Sequence, residues 1–482
     1  MENMNDHTTS SEHENNGIEQ VSEPVEQTSV EDSEPVTEAT EHTHSSHHHH
    51  HSGHHHGSHH HSSHSGHNHS GHHHRHRRSR HHRSGKKSDN KFLLFIKGHR
   101  SALVNIVACT LAIVMLILYA TKQDGAHQPP IGGVDVPGQG AVRIESTFYT
   151  EDVALVNQAV LEYMNAEEGT TVSDVYRKYR NAYSRLDTGL PFVYSYGVSG
   201  LPEGCTVTQA TLEISDVATF GGGTAYQFAP DATSIKVYNL LPATKYYYKL
   251  SLTLSNGALV GSIGDFQTVA APRILYIDGL NNVRDIGGWS TESGKTVRYG
   301  LLFRGSELDG AVEPTYRITE AGMMEMIINL GIRTDMDLRY SEDRAPKLNA
   351  LGHNVEYLYF PASMYSGIFN AESEAVIRDI FAELADESNY PMYMHCTYGR
   401  DRTGTVCYLL EALLGVSRQD LRREYDLSAF AGSISAEEYV AFSTRIELME
   451  GATLSDKVEG YLLSIGVTQQ EIDAIRTIFL EG

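Results

Sequence analysis

Between Ala102 and Ala120 the chain runs for nineteen residues without a charge, reading LVNIVACTLAIVMLILY between the two alanines. A helix of about 20 apolar residues spans the ~30 Å hydrocarbon core of a bilayer. A buried soluble helix can also be this apolar, so the flanks decide. Arg75, Arg77, Arg78, Arg80, Arg83, Lys86, Lys87, Lys91, Lys97 and Arg100 crowd the N-terminal side against the single acid Asp89, whereas Lys122 stands beside Asp124 on the other. Positive-inside bias then places the N-terminus in the cytoplasm and everything after Ala120 outside. The expectation is a single-pass protein of the cell membrane, with residues 101–121 as its transmembrane helix. The basic block can also touch anionic headgroups. A cleaved signal peptide does not fit, because its n-region would be about a hundred residues long.

The chain before this run offers no core. Residues 1–41 form an acidic tail rich in Glu, Ser and Thr, which cannot offset its ordering entropy by burial. Residues 42–100 are first His-rich and then basic, and His42–His82 holds 22 of the 28 histidines. Imidazoles at this density bind divalent metals weakly and adaptably, or form a low-complexity tail with no selected ligand. With 61 Asp+Glu against 38 Lys+Arg, the chain lacks the basic footprint of a nucleic-acid binder. Cys109, Cys205, Cys396 and Cys407 have no regular spacing, which excludes a disulfide framework and a cysteine zinc site.

Beyond the span, residues 122–187 read as a Pro/Gly linker and a helical spacer, with helices near Glu151–Met164 and Val172–Leu186. Residues 188–270 switch to strands. Thr211–Ser215, Ser234–Leu240 and Lys245–Leu254 are β-branched and aromatic, and Asn256-Gly257 signals a hairpin. The run LPATKYYYKLSLTLSNG at 241–257, closing on Phe266-Gln267-Thr268, resembles a fibronectin type III domain. The resemblance implies an all-β sandwich that spaces or binds.

Residues 275–482 alternate strand and helix. Thr319 caps a helix running to Gly331, and the strand Ile332–Leu338 follows. Pro391–His395 is a strand, Arg402–Leu414 a helix ended by Gly415, and Thr468 with Glu471 makes a capping box for the last helix. Such alternation predicts an α/β domain with a largely parallel central sheet flanked by helices.

The chemistry lies in His395-Cys396-Thr397-Tyr398-Gly399-Arg400-Asp401-Arg402-Thr403-Gly404. A short loop entering a helix N-terminus points successive backbone N–H groups at one spot, and that concavity binds a tetrahedral oxyanion. Thr397, Tyr398, Gly399, Arg400 and Thr403 supply the cradle. Gly399 permits the backbone to turn inward. Arg402 offers a planar fork for two oxygens. Helix N-termini and nearby cations favour the thiolate form of a cysteine, and a thiolate beneath a bound phosphate is an in-line nucleophile.

This HCx5R(S/T) segment resembles the cysteine-based tyrosine phosphatases. With Asn282-Val283-Arg284-Asp285-Ile286-Gly287-Gly288, Gly300-Leu301-Leu302-Phe303-Arg304-Gly305-Ser306, and Asp337-Leu338-Arg339 followed by Glu342, it is similar to the bacterial tyrosine-phosphatase-like family acting on phosphotyrosine and phosphoinositides. That resemblance covers about residues 275–480. It implies a phosphoric monoester hydrolase with Cys396 as nucleophile and Arg402 as phosphate ligand. No cofactor or metal is implied, and the substrate is a phosphorylated protein or a phosphoinositide. Arg400 stands where members usually carry Lys, so a point charge becomes a fork.

Tyr359-Phe360-Pro361-Ala362-Ser363-Met364 contains no carboxylate where related enzymes place a general acid. Asp401 is therefore the candidate acid, with helix N-capping as its other role. Arg339 and Arg304 read as substrate or supporting contacts, or as ion-pair partners of Asp337, Glu342 or Glu307. Arg284 and Asp285 organise the start of the domain, His395 bonds the loop backbone, Thr403 bonds the sulfur, and Cys407 belongs to the core. Three other functions compete: a sulfurtransferase, a surface binding protein with an inactive phosphatase fold, and a metal buffer run by the His tract.

Overall fold

Along Lys245–Leu254 every second side chain is buried, the signature of a strand with one face on a core. The computed structural model describes residues 142–482, apart from 148, 168 and 344–348. The span expected at 101–121 and the His-rich tract lie outside the described residues. Among those described, no helix is long and apolar enough to cross a membrane.

Seven strands build the first layer pair: β1 (Arg143–Ser146), β2 (Phe192–Ser199), β3 (Val207–Ser215), β4 (Thr224–Phe228), β5 (Ser234–Val237), β6 (Lys245–Leu254) and β7 (Leu259–Gln267). They form two antiparallel sheets, ordered β1-β2-β5 and β4-β3-β6-β7. Tyr194, Leu212, Tyr248, Leu250 and Phe266 share one core, with Phe192 and Phe266 stacked at 3.9 Å.

This arrangement corrects the boundary expected at residue 188. The first strand lies inside the segment taken as linker and spacer. Between β1 and β2 the chain inserts helices α1 (Gln158–Met164) and α2 (Val172–Tyr179). The first starts later than the apolar repeat suggests. Val153 bridges Thr268 in extended backbone, and the Asn157 side chain accepts from the amides of Ala159 and Val160, which fixes the helix start. Nor is the insertion a spacer. Ala159, Val160, Tyr163, Val172 and Val175 share a core with Ile274, Leu427 and Phe430. Tyr163 Oη donates to Asp426 at 2.5 Å, and Asp187 accepts the Asn282 amide at 2.8 Å.

The following region adds β8 (Arg284–Asp285), β9 (Thr296–Val297), β10 (Leu302–Gly305), β11 (Thr334–Asp337), β12 (Glu356–Tyr359), β13 (Met392–His395) and β14 (Leu480–Glu481). Its sheet is ordered β12-β11-β13-β10-β8. The pairs β12–β11, β11–β13 and β13–β10 are parallel, and β8 is an antiparallel edge. Every other sheet is antiparallel. Parallel pairing between the described strands is thus confined to this one sheet, with one isolated parallel bridge, Val153 to Thr268, elsewhere, and antiparallel pairing predominates.

Helices α3 (Glu320–Met324), α4 (Ala371–Leu384), α5 (Asp401–Leu414), α6 (Arg418–Asp426), α7 (Ala436–Glu447), α8 (Leu454–Ser464) and α9 (Gln469–Phe479) complete the domain. Both faces of β13 are covered, as a central parallel strand requires. Met392 and Met394 join the core of α4, α5 and α9, and Tyr393 joins the core of Leu275, Val283, Phe303 and Met326. Thr319 caps α3, but the helix widens into a π turn over Glu325–Asn329 before Gly331. Gly415 ends α5 in the left-handed conformation, and Thr468 with Glu471 forms the capping box of α9.

Candidate active site

β13 stops at His395 and α5 begins at Asp401, so Cys396–Arg400 form the turn between a central strand and a 14-residue helix. Four of the turn's five carbonyls are held by Glu307, Asn282 and Arg304. Thr397 O accepts the Glu307 amide at 3.0 Å. Tyr398 O and Gly399 O each accept from Asn282 Nδ2 at 3.1 Å. Arg304 Nη2 reaches Gly399 O at 2.6 Å and Arg400 O at 3.3 Å. In a planar trans peptide the C=O and the next N–H point opposite ways. Fixing these four carbonyls therefore turns the amides of Tyr398, Gly399, Arg400 and Asp401 to the other side, as an anion cradle. Gly399 is required twice over. Its φ is +65°, and a Cβ there would lie 2.2 Å from Gly305 O.

The holders are themselves locked. Arg304 is fully buried and pairs with Glu424 Oε2 at 2.8 Å, while Arg284 takes Glu424 Oε1 at 2.7 Å. Arg304 thus supports the loop from beneath. Asp285 accepts the amides of Gly287 at 2.9 Å and Gly300 at 2.7 Å and pairs with Arg273, which ties the opening turns of the domain together.

Cys396 is 5% exposed and packs with the main core. Cys407, eleven residues further on in the second turn of α5, is sealed from solvent, and burial pushes its thiol up to about 12. It is an inert core thiol, as expected. Thr403 is buried, and its hydroxyl has no partner among the described residues, so the expected bond to sulfur is not made in this arrangement.

Arg402, the second residue of α5, pairs through Nη1 with Asp343 at 2.8 Å, its guanidinium lying 4.4 Å over the Tyr340 ring. Arg400 lies 4.4 Å over the Tyr398 ring and donates to Ser433 O at 2.7 Å. Tyr398 in turn meets Tyr316 edge-on at 5.9 Å. Arg339, expected as a substrate contact, points into the domain instead. It is 3% exposed and bonds Asp337, Glu307 and Asp309 at 2.7–3.2 Å. Glu342, a partner considered from sequence, is not among these. Three carboxylates fit one buried guanidinium because its fork carries five donors.

His395 is buried with Nε2 at 3.0 Å from Asp335 and Nδ1 at 3.2 Å from Cys396 O. Burial alone would lower its pKa, but Asp337 and Asp335 outweigh this and raise it to about 9. A protonated imidazole donates from both nitrogens, which fits both contacts. Because its pKa rises on folding, the charged ring contributes stability that is complete below about pH 6.5 and lost as pH climbs through about 9. The urea midpoint is expected to fall across that window at constant salt. A midpoint flat over the same range would contradict a charged His395.

Asp401 is the first residue of α5 and makes no cap bond. Arg400 occupies the N-cap position, and its side chain makes no capping hydrogen bond. Asp401 Oδ1 instead accepts from Tyr365 Oη, and Tyr365 meets Tyr425 Oη at 2.6 Å. Tyr365, Asp343 and Glu424 were not legible as site residues. They lie 36, 59 and 120 positions from the groups they hold, and nothing local marks them. Asn282 sits in a motif that could have flagged it.

Residues 275–481 match the model of the tyrosine phosphatase family. A Cupriavidus necator protein bearing a tyrosine-protein phosphatase name is 25% identical over 196 residues, 36% of this chain and 69% of its own length. The tyrosine-protein phosphatase of Nostoc commune is 23% identical over 211 residues, covering 33% of this chain and 70% of its own. The core catalytic domain of the PP-IP phosphatase SIW14 from S. cerevisiae, crystallised with citrate, is 14% identical. It covers 36% of this chain and 91% of that one, with a TM-score of 0.25. The matched residues contain the cradle, its buried arginines and His395, and the chain is a phosphatase enzyme whose residues 275–481 are similar to the tyrosine phosphatase family.

Proposed function

We propose that the chain hydrolyses phosphate monoesters, phosphotyrosine foremost, through a cysteinyl-phosphate intermediate on Cys396. The observation that carries this is the turn itself: four carbonyls held by Glu307, Asn282 and Arg304, with the opposed amides facing the oxyanion position. Preorganised donors of this kind supply the largest catalytic term for a phosphoryl group.

In the first step the Cys396 thiolate attacks phosphorus while Arg402 and the loop amides hold the non-bridging oxygens. The ester P–O bond breaks, and Asp401 gives its proton to the departing oxygen. In the second step water attacks the phosphocysteine, the Asp401 carboxylate takes the water's proton, and the P–S bond breaks to return thiolate and inorganic phosphate.

Aromatic rings border the loop at Tyr340, Tyr398 and Tyr316, which suits an aryl phosphate. Arg400 lies over the Tyr398 ring and spends Nη1 on Ser433 O, while its Nε has no hydrogen-bond partner among the described residues. The bordering rings favour phosphotyrosine over a phosphoinositide. The strand order β1-β2-β5 over β4-β3-β6-β7 supports a fibronectin type III-like module before the catalytic domain. The apolar run at 102–120 and its basic flank support a membrane anchor with this domain outside the cell.

The test is a phosphatase panel on the full-length chain with phosphotyrosine peptide, phosphoserine peptide and phosphoinositide vesicles. Phosphate release is expected first and fastest from phosphotyrosine peptide. No release from any aryl phosphate, with retained binding of one, would make the chain a binding protein instead.

A further inference from the structure

Asp401 is held by a partner that the two-step mechanism does not yet use. Tyr365 comes from the stretch after β12, where the sequence offers no carboxylate, and its phenol reaches Asp401 Oδ1. Its backbone is fixed in the left-handed region at φ +50°, an uncommon state for a bulky residue that surrounding structure must enforce. The enforcement is visible. The Tyr365 amide donates to Thr405 Oγ1 at 2.8 Å, and that hydroxyl donates to Asp401 O at 2.8 Å. One threonine therefore ties together the backbones of the two residues whose side chains also meet. Tyr365 is 3% exposed and Tyr425 is 2% exposed, and Tyr425 stacks on Tyr439 at 4.2 Å. The pair is held between packed elements.

We propose that Tyr365, backed by Tyr425, is a positioning residue that orients the Asp401 carboxyl and directs its catalytic proton to Oδ2. This rests on Asp401 being the general acid. An ionised carboxylate only accepts, and a phenol has one proton to give. Tyr365 spends its proton on Oδ1, so the Tyr425 hydroxyl donates to the Tyr365 oxygen. With Oδ1 committed, protonation of Asp401 falls on Oδ2, and the carboxyl cannot rotate its acidic proton back toward the protein. Burial first, and then the contact with Asp401, hold the Tyr365 phenol far above its ordinary range, so it stays a donor wherever the enzyme works. General acids contribute about 10²–10⁴-fold when correctly placed, and a carboxyl free to rotate forfeits part of that through lost orientation.

The experiment compares kcat/KM for 4-nitrophenyl phosphate and phenyl phosphate in the full-length chain and in Tyr365→Phe, Tyr425→Phe and Asp401→Asn. The nitrophenolate leaves without help, whereas phenolate needs the proton, and kcat/KM reports only the first chemical step. Tyr365→Phe is expected to lower kcat/KM about tenfold on phenyl phosphate and less than about twofold on 4-nitrophenyl phosphate. Tyr425→Phe should show the same bias at about threefold, and it keeps the test open if the first variant folds poorly. Equal losses on both substrates mean a merely structural role and overturn the proposal, as does no loss on either. If Asp401→Asn itself shows no bias, the acid assignment fails and takes the proposal with it. If Asp401→Asn is biased and both tyrosine variants are not, only the positioning role fails.

Discussion

Cys396→Ser in the full-length chain is expected to lower turnover of aryl phosphates by roughly 10⁵-fold or more, the scale on which loss of a covalent nucleophile acts. The substitution exchanges sulfur for oxygen and touches none of the groups that shape the cradle. Glu307, Asn282 and Arg304 hold the loop carbonyls, and none of them depends on the thiol. The serine variant should therefore fold as before and still bind inorganic phosphate. A hydroxyl at that place lacks the ionisation that makes a thiolate nucleophilic, so binding survives while chemistry stops. Turnover within about tenfold of the parent chain would mean that another group attacks phosphorus.

Arg402→Lys is expected to cost about 10³-fold in kcat, within the range measured when a phosphoryl-stabilising arginine is lost. The lysine keeps the positive charge and can still pair with Asp343, so the fold should hold. What disappears is the planar fork that binds two oxygens at once. Asp343 sharpens the expectation. Its carboxylate sits 2.8 Å from Arg402 Nη1, so a substrate dianion must share or displace that contact. A lysine has no second nitrogen with which to hold both partners. Steady-state kinetics on 4-nitrophenyl phosphate, with the thermal midpoint as a folding control, measures this. A lysine variant with unchanged kcat would show that the fork is not a phosphate ligand.

The strand–loop–helix unit was readable because its signals are local. His395-Cys396 closes an apolar strand, Gly399 marks a place in the loop where a Cβ cannot fit, and Gly415 closes the helix. The caps at Thr319 and Thr468 were readable for the same reason. Contacts across long sequence separations leave no such trace. Tyr365 looks like any aromatic beside an apolar stretch until the fold brings it to Asp401. Arg339 carries the features of a substrate ligand in sequence, and only the convergence of Asp337, Glu307 and Asp309 shows where its charge is spent.

The same holds for domain limits. β1 is only four residues long and follows a Pro/Gly-rich stretch, too short to announce a strand, yet it completes a sheet with β2 and β5. The two helices after it carry an ordinary amphipathic repeat. Their apolar face is covered by Ile274, Leu427 and Phe430, which no local pattern could name. Through Asp187 and Asn282 this insertion also reaches the carbonyls of Tyr398 and Gly399. The catalytic loop is therefore supported by residues outside the stretch that carries the family likeness.

The most direct measurement is a rapid acid quench of the full-length chain during turnover of a phosphorus-labelled aryl phosphate, followed by peptide mapping of the bound label. The account predicts label on the peptide carrying Cys396, as a phosphocysteine that is absent from Cys396→Ser and accumulates in Asp401→Asn. Label on any other residue, or full turnover with no covalent label at any quench time, would contradict it.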